Sequence, residues 1–258
     1  MELIDTHTHL YSEEFKDDIA QVMQNAANAH IKQFYMPAID TSTHRAMIDL
    51  EAAYPASCKS MMGLHPCSVK EDYQSELAEV QRWLDKRPFI AIGEIGLDFY
   101  WDKTHIEQQY DVFKIQMTWA LERNLPIVIH ARDSMDACIE TVRPFAKQGL
   151  TGIFHCFGGS TEQAKAIIEL GFYLGIGGVF TFKKANMGEV LRDISLNHVV
   201  LETDSPYLAP VPFRGKRNES SYLLYIAEAV AKSKGHSLEE VADITSRNAR
   251  LIFKTENS

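Results

Sequence analysis

The stretch Met1-Glu2-Leu3-Ile4-Asp5-Thr6-His7-Thr8-His9 decides how the rest of the chain is read. It is a short apolar run that ends in polar residues, the pattern of a buried strand and the loop that follows it. A doubly wound nucleotide-binding sheet commonly places a glycine-rich phosphate turn after its first strand. Here that position holds Thr-His-Thr-His. Side chains alternate between the faces of a strand, so His7 and His9 are expected to point the same way, with Asp5 below them. Two imidazoles side by side suit one divalent ion.

Working outward, the first strand is predicted over 2–6. Further β-rich apolar runs follow at 33–39, 60–64, 89–95, 126–129, 152–154, 172–176 and 199–202. Between them lie stretches with helical periodicity at 13–29, 43–53, 72–85, 104–123, 134–147, 161–170 and 185–194. Two more helices are predicted at 221–234 and 238–253, the second opened by the capping box Ser237 and Glu240. Eight strands alternating with helices predict an α/β fold, a (β/α)8 TIM barrel with additional C-terminal helices, as one domain over 1–258.

Composition is compatible with that barrel. The 258 residues are 45% hydrophobic and 24% charged, an ordinary globular balance with enough apolar mass for a core. Cys58, Cys67, Cys138 and Cys156 are scattered, which predicts reduced thiols and a cytoplasmic protein. A strand starting at residue 2 leaves no room for a signal peptide, and no run approaches the roughly 20 apolar residues of a membrane helix. No protein partner is predicted, and a monomer is expected. The net charge of −9 argues against a sequence-neutral electrostatic grip on nucleic acid. It leaves a phosphate substrate open, because carboxylates gathered around metal ions make the bare protein acidic.

Barrel enzymes carry their active sites where the strands end. Those ends read His7 and His9, His65, Glu94, His130, His155 and Asp204, all metal-ligand types and five of the ten histidines. Gly93 and Gly96 flank Glu94, leaving room for a ligand or backbone to approach. The remaining histidines, His30, His44, His105, His198 and His236, are expected in helices or loops, in contact with solvent.

Six motifs recur in order: Asp5-x-His7-x-His9, Gly63-Leu64-His65-Pro66, Gly93-Glu94-Ile95-Gly96-Leu97-Asp98, His130-x-Arg132, His155-Cys156-Phe157-x-Gly159 and Glu202-Thr203-Asp204-Ser205-Pro206. Together with Arg214-Gly215-Lys216-Arg217-Asn218 they resemble the TatD family of metal-dependent hydrolases. Gly158 stands where members often have serine. The resemblance implies two divalent metal ions, with His7, His9 and Asp204 on one, His130 and His155 on the other, and Glu94 bridging. Asp204 is then the expected base and Glu94 shares the catalytic centre. His65 and Arg132 are expected to bind a substrate phosphate, and Arg214, with Lys216 and Arg217, to track a nucleic-acid backbone. Four histidines and two carboxylates suit Zn²⁺, Mn²⁺, Ni²⁺ or Co²⁺ better than Mg²⁺, although members are usually described as Mg²⁺-dependent.

The function expected from this resemblance is hydrolysis of phosphodiester bonds in DNA, with Phe99-Tyr100-Trp101 offered for base stacking. A two-metal hydrolase of a small amide, lactone or ester is the alternative, since fold alone does not choose the substrate. A non-catalytic metal-dependent binding protein is a third class, disfavoured by the full ligand set and by Asp204.

Overall fold

The computed structural model describes residues 1–255. Eight strands alternate with helices: β1 (Leu3–Asp5), α1 (Ile19–Asn28), β2 (Ile31–Pro37), α2 (Thr41–Ala53), β3 (Cys58–Met61), α3 (Tyr73–Lys86), β4 (Ile92–Asp98) and α4 (Ile106–Arg123). Then come β5 (Ile127–Arg132), α5 (Met135–Ala146), β6 (Gly152–Phe154), α6 (Thr161–Glu169), β7 (Tyr173–Ile176), α7 (Met187–Arg192) and β8 (Val199–Leu201). Helices α8 (Leu223–Lys234) and α9 (Leu238–Phe253) complete the order. All pairings are parallel, in the orders β1-β2-β3 and β4-β5-β6-β7-β8.

The two groups meet along both edges. Met62 N–H donates to the Ala91 carbonyl at 3.2 Å and Gly93 N–H to the Met62 carbonyl at 3.1 Å. On the other side Thr6 N–H donates to Leu201 O at 3.1 Å, and Asp204 N–H to His7 O at 2.9 Å. This is the TIM-barrel fold that the βα repetition predicts.

Strand alternation sorts the apolar residues into two layers. Ile4, Tyr35, Met61, Ala91, Val128, Ile153 and Val200 form one cluster, inside the ring of strands, which Ala249, Ile252 and Phe253 of α9 join. Their strand neighbours Leu3, Phe34, Ile127, Ile129, Phe154, Val199 and Leu201 belong to the larger cluster shared with the helices. Extending the same parity past Val128 and Ile153 brings His130 and His155 inward. The fold thereby aims these side chains before any metal is considered.

Several expected boundaries shift, each for a local reason. The helix expected from residue 13 begins at Ile19, because Glu13–Phe15 is a separate 3-10 turn. Strands β4 and β5 run on to Asp98 and Arg132, so Glu94 lies inside its strand rather than at the end, and His130 lies within a strand rather than after it. Gly93 and Gly96 do not stop β4. Ile92 pairs with Ile127 and Ile95 with Ile129, leaving one extra residue in β4, a bulge that re-aims Glu94. Gly96 has φ of 144°, and a Cβ there would sit 2.1 Å from the His130 carbonyl oxygen, so only glycine fits.

His44 is a second correction: it is 1% exposed, on the face of α2 that also buries Met47. Burial lowers its pKa below the ordinary histidine value. The unfolded chain therefore binds the extra proton below about pH 6.5, and stability is lost as pH falls from there towards the folded pKa. His44→Met is expected to flatten that part of the stability–pH curve, read from urea midpoints at neutral and mildly acidic pH. An unchanged pH dependence in the variant would place the acid sensitivity elsewhere. No helix among the described residues is long and apolar enough to cross a membrane.

Candidate metal centre

Seven of the nine sequence-predicted site residues line one cavity of about 560 Å³ at the carboxyl ends of the strands: His9, His65, Glu94, His130, Arg132, His155 and Asp204. His7 lies beneath it, 1% exposed, and Trp101, Tyr207 and Leu208 also form part of the wall. Arg214 is absent from this wall. Its guanidinium instead lies 3.6 Å from the Phe182 ring centroid, in a separate groove with Lys183 and Lys184. Arg217 is likewise diverted, paired with Asp18 at 2.6 Å. Of that basic signature, Asn218 supports the site, donating to the Thr203 and Tyr207 carbonyls at 2.8 and 2.6 Å on either side of Asp204.

Asp5 also departs from expectation. Ile4 faces the inner cluster, so Asp5 turns the other way. Its carboxylate accepts from Thr203 N at 2.9 Å, Thr203 Oγ1 at 2.7 Å and Ser220 Oγ at 2.6 Å, anchoring the chain that carries Asp204. Burial, partly opposed by these donors, pushes its pKa up to about 7.

Glu94 is the hub. Its carboxylate lies 2.9 Å from His130 Nδ1, 3.1 Å from His7 Nε2, 3.2 Å from His155 Nε2 and 3.4 Å from His65 Nε2. His9 Nε2 is 3.9 Å from Glu94 and 3.5 Å from Asp204 Oδ1, and His7 Nε2 is 3.6 Å from Asp204 Oδ1. Burial alone would raise the Glu94 carboxyl; His155, His7 and His65 outweigh it and hold the pKa well below the carboxylate range. Asp204 is lowered too, burial being outweighed by His9, His155 and His7.

Hydrogen bonds from behind decide which nitrogen each histidine presents. Asp98 Oδ2 lies 2.8 Å from His130 Nε2 and Glu94 Oε1 2.9 Å from Nδ1. A carboxylate only accepts, so the ring donates to Asp98 from behind, and the nitrogen it turns to the centre shares its proton with Glu94 until a cation replaces that proton. Glu202 Oε1 holds His155 Nδ1 at 2.9 Å in the same way, leaving Nε2 for the centre. Tyr11 donates its hydroxyl proton to the Pro37 carbonyl, so its oxygen accepts from His9 Nδ1 at 2.9 Å and again frees Nε2. His7, although fully buried, makes no aligned hydrogen bond at either ring nitrogen, with Glu94 3.1 Å from its Nε2 as the nearest carboxylate. Two buried carboxylates facing one space need positive charge beside them, which imidazole protons or metal ions can supply. Burial alone would lower His130 and His155, yet Asp98 and Glu94 raise the first, and Glu202 and Glu94 raise the second well above the usual range. The donor set fits divalent cations held by His7, His9, Glu94, His130, His155 and Asp204.

His65 is wired the opposite way. Cys67 N–H donates to its Nδ1 at 3.0 Å, so Nδ1 is the acceptor and Nε2 bears the proton. It offers a hydrogen bond from Nε2 at the cavity wall. Arg132, exposed at the rim, stacks over Tyr100 at 3.9 Å and Trp101 at 5.2 Å.

Asp98, Glu202 and Tyr11 escaped the sequence reading as orienting groups, although spacing signalled two of them. Glu202 precedes Asp204 by two residues, and Tyr11 follows His9 by two. Two buried glutamines of α4 were missed as well. Gln109 Oε1 accepts from Asp98 N at 2.8 Å, and Gln116 Oε1 from Leu64 N at 2.7 Å, fixing the backbone beside Asp98 and His65. Asp98 Oδ1 also accepts from Tyr100 N and Trp101 N at 2.9 Å each, so one carboxylate orients His130 and pins the aromatic loop. Asp98→Ala is expected to cost about 10–100-fold in metal affinity, the usual scale for losing a group behind a metal ligand. Metal titration of the variant at unchanged Tm checks this, and undiminished affinity would contradict the orienting role.

Comparison with known proteins agrees with this architecture. The family model described as TatD related DNase matches residues 4–254. The chain is 36% identical over 253 residues to an uncharacterized metal-dependent hydrolase, YabD, of Bacillus subtilis (strain 168), covering 98% of this chain and 99% of that one. It is 30% identical to the 3′-5′ ssDNA/RNA exonuclease TatD of Pantoea vagans, covering 98% and 99%. The crystal structure of YJJV, a TatD homologue from Escherichia coli K12, superposes with a TM-score of 0.92 at 27% identity, covering 98% of each chain.

Proposed function

The chain belongs to the TatD family of metal-dependent hydrolases, and on that premise we propose that it is a nuclease that cleaves phosphodiester bonds of DNA in the cavity around Glu94. The observation that carries the reading is the wiring of the histidines. Three are held from behind so that the other ring nitrogen faces Glu94 and Asp204, a fourth is buried with no aligned hydrogen bond, and a fifth presents a proton from the cavity wall.

His7, His9 and Asp204 would hold one ion, His130 and His155 a second, with Glu94 shared between them. Such ions supply Lewis acidity and lower the pKa of a water towards neutrality. The chain's own residues supply the remainder. Asp204, ionised and 3.5 Å from His9, accepts the proton of the attacking water and later returns it to the leaving oxygen. His65 donates through Nε2 to a phosphoryl oxygen as charge develops there. Arg132 offers a planar cation at the rim for the neighbouring phosphate, and Trp101, 67% exposed, offers a face for an unpaired base.

A DNA oligonucleotide assayed beside a panel of small esters, lactones and amides tests the substrate class. Metal-stimulated cleavage of the oligonucleotide, with weak or no turnover of the panel, is expected. Efficient turnover of a panel member by a protein inert towards DNA would overturn the nuclease reading.

A further inference from the structure

Outside the metal-facing cavity, three exposed cations border one groove. The segment after β7 and the loop after Asp204 border a groove of about 360 Å³, lined by Phe182, Lys183, Lys184, Ala185, Val211 and Arg214. Lys183, Lys184 and Arg214 are exposed, and among the described residues none has a carboxylate oxygen within 4.0 Å. A neighbouring hollow of about 410 Å³ shares Phe182 and Lys183 and adds Arg192. It also contains Glu189, whose carboxylate accepts from Asn186 Nδ2 at 2.6 Å. On a chain of net charge −9 this local surplus of positive charge runs against the composition.

The groove is fixed relative to the metal-facing cavity. Leu208 lines the cavity and Val211 lines the groove, and three residues of chain span at most about 11 Å. The two bordering segments are tied together. Val211 N–H donates to Thr181 Oγ1 at 2.9 Å, and Gly178 packs so closely that a Cβ there would lie 2.0 Å from the Leu208 carbonyl oxygen. Arg214 over Phe182 adds a flat cation–aromatic surface.

We propose that this groove is a second anchoring site, which holds the sugar-phosphate backbone of a single-stranded polynucleotide whose scissile bond lies in the metal-facing cavity. It rests on the nuclease reading above and adds a strand path to it. Cations along a groove beside an aromatic surface hold a single strand without reading its sequence, and the hold weakens with salt. A diester too short to leave the cavity gains nothing from it.

The test uses the full chain, a labelled oligothymidylate long enough to span both sites, and bis(p-nitrophenyl) phosphate as the short diester. Lys183→Glu/Lys184→Glu is expected to weaken strand binding, read by fluorescence anisotropy, about tenfold. The slope of log Kd against log salt should also fall by about 0.7 for each phosphate that the protein no longer neutralises. Turnover of the short diester should stay unchanged, and Arg214→Ala should move strand affinity in the same direction. Equal strand affinity in parent and double variant overturns the groove and leaves the nuclease reading standing. Groove-dependent binding of a strand that the metal-loaded protein never cuts overturns the nuclease reading and leaves the groove standing.

Discussion

Glu94→Gln is expected to lower kcat/KM on DNA by at least about 10³-fold, a loss of about 4 kcal/mol in transition-state stabilisation. Glutamine keeps the length and shape of the side chain but removes the charge. Glu94 is 2% exposed, and its carboxylate is the common neighbour of His7, His65, His130 and His155. Without it, the histidines face a neutral amide, and both proposed ions lose the ligand they share. Metal content should therefore fall together with activity, while the circular dichroism of the barrel stays. A variant that bound metal normally and turned over DNA within tenfold of the parent would remove Glu94 from the catalytic centre.

Asp204→Asn is expected to reduce kcat by about 10³-fold, within the range for loss of a positioned base, with KM for DNA little changed. Asp204 has φ of 56°, a left-handed conformation that asparagine tolerates about as well as aspartate. The substitution thus removes the charge and the base but keeps the turn that Asn218 and Thr203 support. Retained metal with lost turnover assigns Asp204 the proton; lost metal with lost turnover assigns it to ligation. Retained turnover would refute both roles.

The order of strands and helices was legible because apolar periodicity changes at each element, and the inward parity of Val128 and Ile153 already aims His130 and His155. Strand ends were less legible. Gly93 and Gly96 carry the same local signal whether they stop a strand or make a bulge, and only the pairing with β5 separates the two. His44 was misjudged because a polar residue on a helix reads as solvent-facing, yet its spacing of three from Met47 places it on the buried face. For Arg214 the sequence shows that a loop is basic but not which groove it borders. The ligand-type residues were visible as residue types at strand ends. The atoms each presents depend on Asp98, Glu202, Tyr11 and Cys67, whose hydrogen bonds cross from one strand or loop to another or fold back on the loop itself.

Elemental analysis of the purified chain, paired with DNA cleavage before and after chelation, tests the catalytic metal centre most directly. Up to two divalent ions per chain are expected, with loss of cleavage on chelation and recovery when a divalent metal is returned. A chain that carries no metal and whose activity neither chelator nor added metal alters would contradict a metal-dependent mechanism at Glu94.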